Sequence, residues 1–275
     1  TNFEFTLNKN NEKAIYIIGS DTVWANDKSV GTPHNKIFFG NKLLEDRSIF
    51  YAISSGKKRK FLKEQLTNIN QKLLSFRDPL TRDLFTTKIS PNTNLSIVLD
   101  PVLLGYRTNQ GITKKLSKTL IIYGFINKYY LKQLITILKK RDIKRVQIEG
   151  YGQSNFFLNK IKAEGFIIET NFATNPKKIL KKFRDAELIL TSTFHGVILA
   201  LRENSEFIFC EKESLIYRLS FLIKELNLKK SFILKKQGHI YINKLSMKDC
   251  KQLEALSLES EKWLEENLSN IIMGR

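Results

Sequence analysis

Apolar residues recur along the chain in two alternating periods, short runs of four to seven and longer stripes spaced three and four apart. The short runs predict buried strands and the stripes predict helices packed on them. Strands are expected at Lys13–Gly19, Ser48–Ser54, Ser75–Arg77 and Leu95–Leu99. A helix is expected at Arg59–Leu74, with Leu62, Leu66, Ile69 and Leu73 on one face. Asp78-Pro79 opens another, with proline at its first position. After a soft boundary at 105–118, where Gly105, Asn109 and Gly111 interrupt the pattern, the alternation becomes cleaner. Strands are expected at 119–123, 144–149, 166–169, 187–191 and 206–210, with a weaker pattern at 231–234. Helices are expected at 128–141, 154–164, 176–184, 194–203 and 214–226. Leu131, Leu134, Ile135 and Leu138 form the stripe of the first of these.

Strands separated by single helices imply right-handed crossovers and a parallel sheet. The reading is therefore α/β, with two Rossmann-like domains: 1–110, then 111–245. An amphipathic helix over 246–275, carrying Leu253, Leu256, Trp263, Leu264 and Leu268, is expected to pack back on the first domain. Two such domains facing one another would place a ligand at the C-terminal ends of strands. The residues there are Gly19-Ser20-Asp21, Tyr123-Gly124, Gly150-Tyr151-Gly152, Ser192 to His195, and Glu211.

Composition narrows the classes. A hydrophobic content of 42% and an aromatic content of 11% suffice for a buried core. The two cysteines, Cys210 and Cys250, make no disulfide framework, and Cys210 reads as a buried thiol. The three histidines, His34, His195 and His239, have no zinc spacing, and no metal is expected. No apolar run of about 18 residues suggests a spanning helix. The opening Thr1-Asn2-Phe3-Glu4-Phe5 lacks methionine and a signal pattern, so the chain is expected to be trimmed. The net charge of +19 favours anionic partners. Its lysines are spread rather than gathered and no nucleic-acid motif occurs, so nucleic acid is not expected. The expected location is cytoplasmic, with peripheral association at the inner face of the plasma membrane.

The most informative stretch is Thr191-Ser192-Thr193-Phe194-His195-Gly196. A strand runs into it and a helix leaves it, and hydroxyls stand at the cap positions. Strand-to-helix junctions of this kind hold anions on backbone N–H groups and the helix dipole. A histidine in the first turn can move a proton there near neutral pH. The alternative is a histidine that packs or caps the turn. Gly19-Ser20-Asp21-Thr22-Val23-Trp24 offers serine and aspartate for a sugar hydroxyl and a flat indole for its ring, though a structural turn accounts for it equally. Arg77 and Arg218 are candidates for two-pronged binding of carboxylate or phosphate, or for ion pairs with Asp78 or Glu211. The Glu203–Glu211 spacing is chance, since the two fall on different elements.

Together these blocks resemble the polysaccharide pyruvyl transferase family. The resembling blocks are Gly19 to Trp24, Tyr51-Ala52-Ile53-Ser54-Ser55-Gly56, Ser75-Phe76-Arg77-Asp78, Leu99-Asp100-Pro101-Val102-Leu103-Leu104, Thr191 to Gly196, and Tyr217-Arg218-Leu219 with Leu226-Asn227-Leu228. They cover about 13–235. The resemblance implies a GT-B-like pair of domains and pyruvyl transfer from phosphoenolpyruvate to two sugar hydroxyls, with no cofactor. It implies His195 and Asp21 as catalytic residues, and Ser192, Thr193, Arg77, Arg218 and Glu211 on the donor side. Ser20 and Trp24 fall on the side of a sugar or lipid-linked glycan acceptor. Many members carry arginine where this chain has Thr193, and the family's N-terminal strands and glycine-rich opening are missing here, so the N-terminal domain is expected to be incomplete. The competing readings are a GT-B glycosyltransferase using a nucleotide sugar and a non-catalytic glycan-binding module.

Overall fold

The computed structural model describes residues 14–19, 47–55, 73–89, 95–108, 117–150, 152–171, 175–210, 213–230, 232–234 and 237–274. It divides into two compact units, one of residues 1–105 with 255–275 and one of 106–254. The expected helix Arg59–Leu74 lies outside the described residues except at its end, where Leu74 instead opens a strand.

Among the described residues the first unit holds a four-stranded, parallel sheet in the order β1 (Tyr16–Gly19), β2 (Ser48–Ile53), β3 (Leu74–Phe76), β4 (Ser96–Ile97). β2 is buried along its whole length, as expected of a parallel strand covered on both faces. Phe50 and Ile53 pack with Leu74, Phe76 and Phe85 of α1 (Pro79–Ile89). Ile49, Tyr51 and Val98 pack with Trp263, Leu264 and Leu268 of the last helix. Phe50 and Ile53 are three apart, which strict alternation forbids. The register slips between them, and Ala52 takes φ +53° in the left-handed region at the slip.

The second unit holds a five-stranded parallel sheet in the order β7-β6-β5-β8-β9. The strands are β5 (Ser117–Tyr123), β6 (Arg145–Glu149), β7 (Ile167–Asn171), β8 (Ala186–Thr191) and β9 (Phe207–Phe209). The crossovers are α2 (Leu131–Lys140), α3 (Asn155–Ala163), α4 (Pro176–Asp185) and α5 (Phe194–Arg202). Local chemistry sets their starts. Ser154 caps α3 by accepting from the Phe157 N–H, and Asn175 caps α4 ahead of Pro176. The expected helix at 128–141 splits into a 3₁₀ turn at Lys128–Tyr130, capped by Asn127, and α2 proper. α6 (Glu213–Glu225) follows β9, and β10 (Phe232–Leu234) pairs antiparallel with β11 (Gln237–His239). β11 had no sequence signal. The last helix, α7 (Met247–Ile272), has its first residues in the second unit and the rest in the first. Among the described residues no helix is long and apolar enough to cross a membrane.

Candidate active site

The chain builds β5, β6 and β7 outward on one side, then returns to lay β8 and β9 on the other side of β5. Crossovers therefore leave in opposite directions from the C-terminal ends of β5 and β8, opening a crevice there. Tyr123-Gly124 exits one strand and Thr191-Ser192-Thr193 the other. The Ser192 N–H donates to Tyr123 O at 3.4 Å, and Thr191 Oγ1 donates to the same carbonyl at 2.7 Å.

Each hydroxyl has a distinct task. Thr193 Oγ1 accepts from the Gly196 N–H at 3.1 Å and is the N-cap of α5. Ser192 Oγ donates to Phe125 O at 2.7 Å. The Thr193 N–H donates to Thr191 Oγ1 at 3.1 Å. Two glycines make the closeness sterically feasible. A Cβ on Gly124, which takes φ +107°, would stand 2.7 Å from Ser192 Oγ. A Cβ on Gly196 would stand 2.0 Å from Thr191 Oγ1. Gln153, after β6, ties the crevice wall together: its Nε2 donates to Gly124 O at 2.7 Å, and its Oε1 accepts from the Ile126 N–H at 3.1 Å.

His195 is half-buried on the first turn of α5, edge-on to Phe194 at 5.6 Å. No described residue hydrogen-bonds its imidazole. Arg218 of α6 is half-buried, its guanidinium carbon 5.6 Å from the Phe194 ring centroid. The structure thus gathers Ser192, Thr193, His195 and Arg218 around one helix start. Asp21, Ser20, Trp24 and Glu211 lie outside the described residues.

Arg77 lies in the first unit. It is 3% exposed, and its Nη1 donates to Asp100 Oδ2 at 2.9 Å across the ends of β3 and β4. The ion pair described for it is thus with Asp100, and the alternative partner Glu211 lies outside the described residues. Asp78 instead accepts from the Thr81 N–H at 2.8 Å and from the Thr81 hydroxyl, at the start of α1. Burial pushes the Asp78 carboxyl above its usual range, against hydrogen bonds that act downward.

Sequence reasoning missed one charged pair beside the crevice. Glu149, at the end of β6, is buried and paired with Lys182 of α4. Their only sequence signal was a carboxylate closing an apolar strand. Burial pushes the Cys210 thiol up to about 12. Among the described residues no cluster of His, Cys, Asp and Glu could hold a metal ion.

The parallel α/β sheet, with a capped, histidine-bearing helix start at its switch point, is of the Rossmann-like class, in which ligands usually bind at strand ends. The polysaccharide pyruvyl transferase family model matches residues 2–211. The chain belongs to that family, and it is a transferase enzyme of polysaccharide biosynthesis. No curated protein matches it with significance.

Proposed function

We propose that the chain moves a pyruvyl group from phosphoenolpyruvate onto two hydroxyls of a sugar in a cell-surface polysaccharide or its precursor, giving a pyruvate ketal. The observation that carries this reading is His195 on the first turn of α5, half-exposed at the switch point, with no described residue bonded to its imidazole.

The chemistry asks little more. The methylene carbon of the donor gains a proton and becomes methyl. One sugar oxygen bonds to the adjacent carbon, the bond from that carbon to the phosphate oxygen breaks, and a second sugar oxygen closes the ketal. Of the two hydroxyl protons lost, one balances the methyl group and the other leaves with phosphate. His195 is assigned to proton transfer or to the departing phosphate. The start of α5, with Ser192 and Thr193, is assigned one acid group of the donor, and Arg218 the other. Thr193 serves through its cap, so Arg218 supplies the cation that many relatives place at that position. Arg77, buried against Asp100, is given a positioning role. Glu211 stays on the donor side. Asp21, Ser20 and Trp24 are given the acceptor, a sugar or lipid-linked glycan. The reading includes the GT-B-like pairing of two Rossmann-like domains, no cofactor, and work at the inner face of the plasma membrane.

Phosphoenolpyruvate is expected to raise the melting temperature and uridine diphosphate to leave it unchanged. His195→Ala is expected to keep that shift while losing phosphate release with lipid-linked sugar acceptors. Stabilisation by uridine diphosphate alone would move the protein to nucleotide-sugar chemistry. Unimpaired turnover by His195→Ala would remove the imidazole from the mechanism.

A further inference from the structure

The second unit carries another surface whose chemistry the donor site leaves unused. A groove of about 680 Å³ runs between the 3₁₀ turn with α2 on one side and α3 on the other. Ile135 supplies a half-buried aliphatic floor. Tyr129 and Phe156 stand over it, 53% and 55% exposed. Lys128, Lys132 and Lys160 rim it. None of these three lysines pairs with a described carboxylate, whereas Lys139 is matched by Glu164 at 2.5 Å.

Large rings left in water cost hydration free energy that burial against a partner would recover. The ring of lysines says which partner. Aromatic rings beside lysines suit the boundary of an anionic bilayer, where rings settle among headgroups and each ammonium meets lipid phosphate. Nucleic acid would value the same charge and could stack on the same rings, but the floor between them is aliphatic and the chain carries no nucleic-acid motif, so single-stranded DNA is the competing occupant that the test separates.

We propose that this groove docks the protein on an anionic lipid bilayer, with Tyr129 and Phe156 entering the headgroup layer. The proposal fixes which face meets the membrane. The segment 124–130 joins this groove to the crevice: Phe125 O accepts from Ser192, Phe125 is itself 61% exposed, and Tyr129 follows four residues on. Docking would hold the end of the sheet that bears His195 near the headgroups, where a lipid-linked sugar is presented. That benefit rests on the proposed function; the docking itself does not.

Cosedimentation with vesicles tests it. The protein is expected to bind phosphatidylglycerol–phosphatidylcholine vesicles and not phosphatidylcholine alone. Lys132→Glu with Lys160→Glu is expected to weaken binding about tenfold or more. Phe156→Ser, at an exposed ring, is expected to weaken it several-fold. Lys248→Glu with Lys251→Glu, on exposed positions of α7, should change it less than about twofold. Equal loss in both lysine pairs, or no loss in Phe156→Ser, would reduce the effect to the general positive charge and overturn the docking face. Binding to single-stranded DNA in preference to vesicles, lost in the same variants, would overturn it in favour of nucleic acid. The phosphoenolpyruvate-induced melting shift is expected to survive in every variant, so failure of the docking proposal and failure of the donor proposal are read separately.

Discussion

At the strand ends of the four-stranded sheet, Arg77, Asp78 and Asp100 are 3%, 1% and 2% exposed; at those of the five-stranded sheet, Ser192, Thr193 and His195 remain half-exposed. Both sets sit where parallel sheets usually present chemistry. The buried set bonds largely within its own unit: Arg77 to Asp100, Asp78 to Thr81, and Thr81 in turn to Ser55. The half-exposed set bonds through its hydroxyls to backbone, and the imidazole is left over. Equivalent topological positions thus differ in burial: one set is enclosed within its own loops, and the other keeps polar groups open to solvent.

Replacing Asp100 breaks the comparison most sharply. Asp100→Leu removes the carboxylate that pairs with the buried Arg77 at 2.9 Å and the acceptor of the Val102 N–H. A loss of about 3–5 kcal/mol is expected, read as a lower urea midpoint. Gly196→Ala comes next, because its Cβ would meet the Thr191 hydroxyl and shift the cap. About 1–3 kcal/mol should be lost, with weaker phosphoenolpyruvate binding. Glu206 tests an ion pair remote from both sets. Burial opposes its ionisation, but hydrogen bonds from Lys244 and Arg141 outweigh it, so its carboxyl lies below the usual 4.5. A depressed acid stabilises the fold above its unfolded value and loses that contribution as pH falls through the folded one. Glu206→Gln should cost about 1 kcal/mol at neutral pH, and the difference from the parent should shrink as urea titrations move below about pH 4.5. His195→Ala should shift stability least, within about 0.5 kcal/mol, while removing turnover. A large destabilisation would make the histidine a packing residue and erase the contrast.

The crevice itself was legible because its signals are local. The apolar run, the hydroxyls and the helical stripe follow one another, and β8 and α5 fall within a residue of the expected 187–191 and 194–203. Asp100 as the partner of Arg77 was not legible, because 23 residues separate them and only the β3–β4 pairing brings them together. β3 itself was displaced by one residue, since three residues are too few to show alternation. The groove between α2 and α3 was hidden for a related reason: Ile135 reads as core from its spacing, and only the packing leaves it half-covered.

The first unit is assembled from both ends of the chain. Tyr51 meets the Trp263 ring at 5.9 Å and donates to Leu99 O, while Ser260 accepts from the Leu99 N–H. On the ribosome, the intervening unit emerges whole and can close early, whereas β2 must wait with one face uncovered until α7 has been synthesised. The stretch Ser48–Ile53, wholly apolar apart from its serine, is therefore the part of a nascent chain that a chaperone would have most reason to shield.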